Sequence, residues 1–178
     1  TSATSSADQY TYVVAPTVTA ISPQSGPVGG ATTVTITGTG FSAAASTGAV
    51  KFGSTVASYT IDSNTQISAV SPANSAGTYD ITVNTPGGTS ATSSADQYTY
   101  LNAPTVTLIS PMVGPASGGT SVTITGTNFT SASTVKFGTN ASTSVTFVNG
   151  TQLKATSPAG VGTVNVTVTT AGGTTATS

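Results

Sequence analysis

The chain has 178 residues, of which 36% are hydrophobic and 4% charged, with a formal net charge of −1. Three Lys and no Arg form no basic patch that could neutralise phosphates, which argues against nucleic-acid binding, and the lack of Cys excludes disulfides, thiolate catalysis and most structural zinc sites. No apolar run approaches the roughly 20 residues a membrane-spanning helix needs, and Thr, Ser, Asn and Gly take the surface places that charge usually fills, as in exported proteins.

In chain order, residues 1–12 read TSATSSADQYTY and return unchanged at 89–100. An identical segment at that distance marks two copies of one module, predicted as domains 13–100 and 101–178, with 1–12 as a spare last strand, strand G. Pro16 and Pro23 bracket a first strand, where neither must donate to a central ladder. Val34 and Ile36 then alternate with Thr33, Thr35 and Thr37; Val50 and Phe52 flank Lys51; Ile67 and Ala69 flank Ser68; Tyr79, Ile81 and Val83 flank Asp80 and Thr82. Period-two alternation predicts half-buried strands with one face in a core, and Thr suits their outer face. Gly40 precedes Phe41, which predicts a bulge or tight turn there.

The second copy keeps the parity through Val122 and Ile124, Val135 and Phe137, Leu153 and Ala155, and Val164, Val166 and Val168, with Asn128 before Phe129. Gly and Pro punctuate the chain and no segment holds helical periodicity over three turns. About seven short strands per copy predict an all-β fold of tandem immunoglobulin-like sandwiches in a linear array. The Gly pair in GPVGGAT moves by one position in GPASGGT, so the letters do not carry that turn's geometry from one copy to the other.

The run P-x-V-x-x-I-S-P-x-x-G-P-x-x-G, followed by TVTITGTGF, VKFG, SPA, ITVNTPGG and a closing YTY, resembles the IPT/TIG domain, in its bacterial surface or exported type. The resemblance covers nearly the whole chain, twice, and implies an immunoglobulin-like fold. It is weaker on function, because the family includes cell-surface receptors, DNA-binding transcription factors and tandem arrays on bacterial surfaces. Three Lys and no Arg over two domains cannot anchor a duplex, which disfavours the transcription-factor branch.

Acid–base or nucleophilic catalysis needs positioned titratable groups, and the chain has no His, Cys or Glu. No catalytic, cofactor or metal site is therefore expected. Asp8 and Asp96 share one repeat position and mark structure rather than a dyad, while Asp80 is predicted to face outward. The pairs Tyr10 and Tyr12, and Tyr98 and Tyr100, have the parity of core or inter-domain packing rather than of a sugar platform.

The second copy reaches TTATS at 174–178 without an equivalent of SADQYTY. Two readings stay open: an excerpt of a longer array, or a subunit whose spare strand, with Ala7, Asp8, Gln9, Tyr10, Thr11 and Tyr12 as assembly residues, completes the next subunit head to tail. Either way the expectation is a non-enzymatic extracellular structural module, a building block of a bacterial surface fibre, filament, stalk or adhesin that forms homo-oligomers without nucleic-acid partners or a transmembrane segment. The second reading is a glycan- or receptor-binding module, or an accessory domain of an exported polysaccharide-active enzyme or phage tail protein.

Overall fold

In the computed structural model, residues 9–44 and 49–176 are described. The strands in chain order are β1 (Thr17–Ser22), β2 (Ser25–Pro27), β3 (Thr33–Thr39), β4 (Val50–Phe52), β5 (Thr55–Val56), β6 (Ser58–Ser63), β7 (Gln66–Val70), β8 (Gly77–Thr85), β9 (Gly88–Thr89) and β10 (Gln97–Leu101). The second copy supplies β11 (Thr105–Ser110), β12 (Ser121–Thr127), β13 (Thr134–Phe137), β14 (Asn140–Ala141), β15 (Ser144–Asn149), β16 (Gln152–Thr156), β17 (Val166–Thr170) and β18 (Gly173–Thr174). The described residues contain no α-helix, only a 3₁₀ turn at Phe41–Ala43. Several elements are two-residue strands, such as β5 and β14, which no alternation could have disclosed. Contacts divide the chain into two compact units, Ser25–Gly30 and Ala73–Gly77 grouping with the second repeat.

In the first unit a sheet ordered β1-β3-β7-β6 faces a sheet in which β10, β8, β4 and β5 are successive neighbours. The predicted parity places Val34 and Ile36, Ile67 and Ala69, Val50 and Phe52, and Ile81 and Val83 in the core, each fully buried. Thr17, Thr35 and Thr37 keep to outer or half-buried positions, where a β-branched side chain lies on the pleat without losing its hydroxyl's access to water. Phe41 closes one end of the core, its N–H donating to the Asn64 carbonyl at 3.0 Å.

The second unit repeats the plan with sheets ordered β11-β12-β16-β15 and β14-β13-β17-β18. Its core joins Val122, Ile124, Phe129, Val135, Leu153, Ala155 and Val168. The left-handed residue before the plugging Phe is found in both repeats, as Gly40 at φ 78° and Asn128 at φ 57°. Asn tolerates that region because its short amide bonds locally, and here the Asn128 amide donates to the Ala103 carbonyl at 2.9 Å.

The displaced Gly pair does not change its turn. Gly30 and Ala31 have φ of 74° and 64°, and their counterparts Gly118 and Gly119 have 76° and 87°. The same bonds close both turns: Ala31 N–H to the Ser71 carbonyl at 2.8 Å and Gly119 N–H to the Ser157 carbonyl at 2.9 Å. The hydrogen-bond frame fixes the geometry, so the first copy holds an alanine where the second has glycine. A left-handed L-residue costs about 1–2 kcal/mol, part of which glycine returns through its freer unfolded chain. Ala31→Gly is expected to stabilise the first repeat by about 0.5–1 kcal/mol, read as a rise in its urea midpoint; a fall would show that Ala31 is not strained.

Candidate functional site

Strand β10 shows what the segment ADQYTY does when it is folded into a sandwich. It stands between β8 and β2 in the sheet order, and Thr99, Tyr100 and Leu101 pair in parallel with Ser25, Gly26 and Pro27. Alternation sends Tyr98 and Tyr100 inward, 0% and 1% exposed. The Tyr98 ring meets Phe52 edge to face, centroids 5.2 Å apart at 86°, a favourable aromatic geometry. The Ile81 N–H donates to the Asp96 carbonyl at 2.9 Å, tying the strand to β8.

Asp96 is fully buried, its Oδ2 accepting from the Ser93 N–H at 2.7 Å and the Ser93 hydroxyl at 3.2 Å, while its Oδ1 is buried without a hydrogen-bond partner. Burial pushes its carboxyl above the ordinary range, the Ser93 bonds pull it back, and the neighbouring Asp80 carboxylate raises it again. Asp80 is thus half-buried beside a second carboxylate rather than outward, because β8 is covered by β10 along this edge. The sign follows from a folded-state pKa above the unfolded one: ionised Asp96 penalises the fold at neutral pH, and the penalty is relieved as pH falls through the raised pKa. Acidification from neutrality into the carboxylate range should therefore raise the first repeat's urea midpoint. Asp96→Asn, which keeps an oxygen for Ser93 but cannot ionise, should remove that part of the rise.

Among the described residues no strand stands beside β17 as β10 stands beside β8, and β17 begins at Val166 whereas its counterpart β8 begins at Gly77. Val164, expected inward by parity, is 47% exposed, and Ile109, Phe137 and Val166 are only half-buried. These residues line a groove of about 660 Å³ rimmed by Met112 and Val113, which are 78% and 83% exposed. Parity was legible in the letters; the exposure of Val164 was not, because it depends on which neighbour lies alongside.

Of the sequence-predicted assembly residues, Ala7 and Asp8 lie outside the described residues. Gln9, Tyr10, Thr11 and Tyr12 are exposed and outside any strand. The Tyr10 and Tyr12 side chains, expected to pack in a core or between domains, are 80% and 90% exposed and touch each other edge to face at 4.8 Å. The same letters are buried in β10 because there β8 and β2 flank them. No cluster of three or more metal-ligating side chains occurs among the described residues, and no described helix is long and apolar enough to cross a membrane.

Comparison with known proteins agrees with this architecture. The family model described as the IPT/TIG domain matches residues 16–100 and again 104–178. Mouse plexin-A2 is 38% identical over 125 residues, which is 70% of this chain but 6% of plexin-A2, and human plexin-A2 matches equally. A structure of the plexin A4 full extracellular region superposes with a TM-score of 0.55 at 27% identity, covering 96% of this chain and 18% of that one. A second, longer plexin A4 extracellular structure gives 0.56 at 27% identity, over 89% of this chain and 15% of its own. The chain thus spans a small fraction of the proteins it matches, and it belongs to the IPT/TIG domain family.

Proposed function

We propose that the chain is a non-enzymatic, extracellular structural module, a building block of a surface fibre, filament, stalk or adhesin. The observation that carries this reading is the outer surface of the sandwiches, where neutral side chains bond to one another at equivalent places in the two repeats. The Thr17 and Thr39 hydroxyls lie 2.8 Å apart across β1 and β3, and the Thr105 and Thr127 hydroxyls lie 2.8 Å apart across β11 and β12. Thr19 and Thr107 likewise donate to the Thr37 and Thr125 carbonyls, at 3.2 and 3.1 Å. Such pairs stabilise a sheet modestly and spend on the scaffold the hydroxyls a binding surface would present. The similarity to plexin extracellular regions supports a place outside the cell, and the cysteine-free composition is the support for a bacterial surface.

Two measurements on the purified chain test the reading. Single-molecule pulling should show each repeat unfolding as its own force-bearing unit. A glycan microarray should show no saturable binding; a glycan held at micromolar affinity and lost on a loop substitution would replace the structural reading with the binding-module one.

A further inference from the structure

The pattern Asn-x-Ser/Thr occurs at Asn128, Asn140, Asn149 and Asn165, all in the second repeat. It serves as an acceptor of N-linked sugar where the asparagine lies on the surface and its amide nitrogen is free to react, so the fold decides among the four. Asn128 sits at φ 57° before the plugging Phe, and its amide donates to the Ala103 carbonyl at 2.9 Å. The Asn140 amide donates to the Ala159 carbonyl at 3.2 Å, and the hydroxyl of Ser142 donates to the Ser144 and Thr156 carbonyls, both at 2.7 Å. Asn165 is exposed but leads directly into β17, where Thr167 is paired with Lys136. Asn149 is placed differently from all three.

Asn149 ends β15 and pairs with Gln152 at the start of β16, so Gly150 and Thr151 form a two-residue hairpin turn. Asn149, Gly150 and Thr151 are all exposed. The Asn149 Oδ1 accepts from the Thr151 N–H at 2.9 Å and from the Thr151 hydroxyl at 2.8 Å. These two bonds orient the amide, and among the described residues nothing accepts from its Nδ2. The first repeat shows what the turn itself requires. Ser63 stands in the place of Asn149, its hydroxyl oxygen accepting from the Thr65 N–H at 3.1 Å and lying 3.2 Å from the Thr65 hydroxyl. A side-chain oxygen at this position is enough to close the hairpin. The asparagine of the second repeat supplies that oxygen and adds a nitrogen the turn does not use.

We propose that Asn149 is a modification site, at which the folded chain accepts an N-linked sugar from a diphosphate-activated donor. In the transfer Nδ2 attacks C1 of the sugar. The Nδ2–C1 bond forms, the C1–O bond breaks with its electron pair leaving on the diphosphate, and one amide proton passes to a base of the transferase. The two Thr151 donors stabilise the negative charge that gathers on Oδ1 as Nδ2 gives up its proton. The place also has a use for a sugar. Strand β15 is the edge of its sheet, and an edge strand invites pairing with other chains unless charge or bulk blocks it. The equivalent edge strand β6 carries Asp62, whose carboxylate accepts from the Ser68 hydroxyl at 2.6 Å and the Thr60 hydroxyl at 3.2 Å. In β15 that position is Val148, 44% exposed beside Phe147 at 40%, and the strand has no charge. A glycan on the next residue sets a bulky, solubilising group on the edge that lacks the aspartate.

The purified full chain is incubated in one arm with UDP-glucose and a soluble N-glucosyltransferase that recognises Asn-x-Ser/Thr. In a second arm it meets a polyprenyl-diphosphate oligosaccharide and a membrane oligosaccharyltransferase, so the two arms distinguish the nucleotide-linked from the lipid-linked donor. Peptide mapping by mass spectrometry should place the first sugar on Asn149 in at least one arm, with Asn128 and Asn140 unmodified. Asn149→Gln should lose that product, and Thr151→Ser, which keeps the hydroxyl, should retain it. In a proteolytic digest of the chain, where none of the four asparagines is held by the fold, the preference for Asn149 should disappear. No sugar on Asn149 in either arm overturns the site. Equal modification of all four asparagines in the folded chain, or an unchanged preference in the digest, overturns selection by the hairpin. Light scattering then compares the modified and unmodified chains over a concentration series. The modified chain should stay monomeric to higher concentration, and equal association of the two overturns the protection of β15. None of these outcomes depends on the pulling or glycan-array results, so the site and the structural reading fail separately.

Discussion

Tyr98→Ala is expected to destabilise the first repeat by about 3–5 kcal/mol, the range for truncating a fully buried aromatic residue. The ring is 0% exposed, meets Phe52 edge to face, and belongs to the strand that covers β8. Removing it would leave Phe52 facing a void, much as Phe137 is left half-buried in the second repeat. A loss of that size is a large share of the stability of an ordinary domain, about 5–15 kcal/mol, so the first repeat should unfold at far lower urea while the second repeat's transition stays in place. Circular dichroism across a urea series on the full chain reads both transitions. Tyr10→Ala, the same substitution in the identical segment, should leave the stability of the isolated chain unchanged, because Tyr10 is 80% exposed. A Tyr98→Ala cost below 1 kcal/mol would show that the strand lies on the sandwich without supporting it.

The contrast between Tyr98 and Tyr10 also marks how far the letters reach. Parity along β3, β4, β7 and β8 was legible because one face of each strand is buried, so Val34, Ile36, Val50, Phe52 and Ile67 fall where a period of two puts them. The left-handed positions before Phe41 and Phe129 were legible because Gly and Asn are the residues that accept them. Ala31 was not, since its positive φ is imposed by the bonds its turn makes to Ser71 and by no preference of its own. Nor was the Asp80 and Asp96 pair, because a strand's alternation says which way a side chain points but not which strand lies beside it. For the same reason the candidate site was half legible. The repeated segment could be read from the sequence, but the groove could not, since Val164, Met112 and Val113 come from separate stretches and are exposed only through what their neighbours leave uncovered.

Gly38→Ala is expected to cost the first repeat about 3 kcal/mol or more, beyond the ordinary penalty for overpacking, and Gly126→Ala should do the same to the second. A Cβ on Gly38 would collide with the Thr17 carbonyl and lie 2.6 Å from the Phe41 ring; one on Gly126 would collide with the Thr105 carbonyl and lie 2.7 Å from the Phe129 ring. The crowding has one cause in both repeats. The register of β1 on β3 shifts between Val18 and Ala20, and that of β11 on β12 between Val106 and Leu108, so the edge strand bulges opposite the glycine. The bulge carries its outer Thr19 or Thr107 hydroxyl to a carbonyl of the partner strand, and the plugging Phe closes the space beneath. Backbone on one side and a buried ring on the other leave a methyl nowhere to go, so relief requires β1 or β11 to lift from its sheet. The sign makes the test decisive. At an unconstrained strand position Gly→Ala is stabilising by about 0.5–1 kcal/mol, so a gain at either site would show that the edge strand is free to move, whereas matched losses, additive in the double variant because the two sites share no partner, would show that the bulge, the glycine and the Phe plug act as one unit in each repeat.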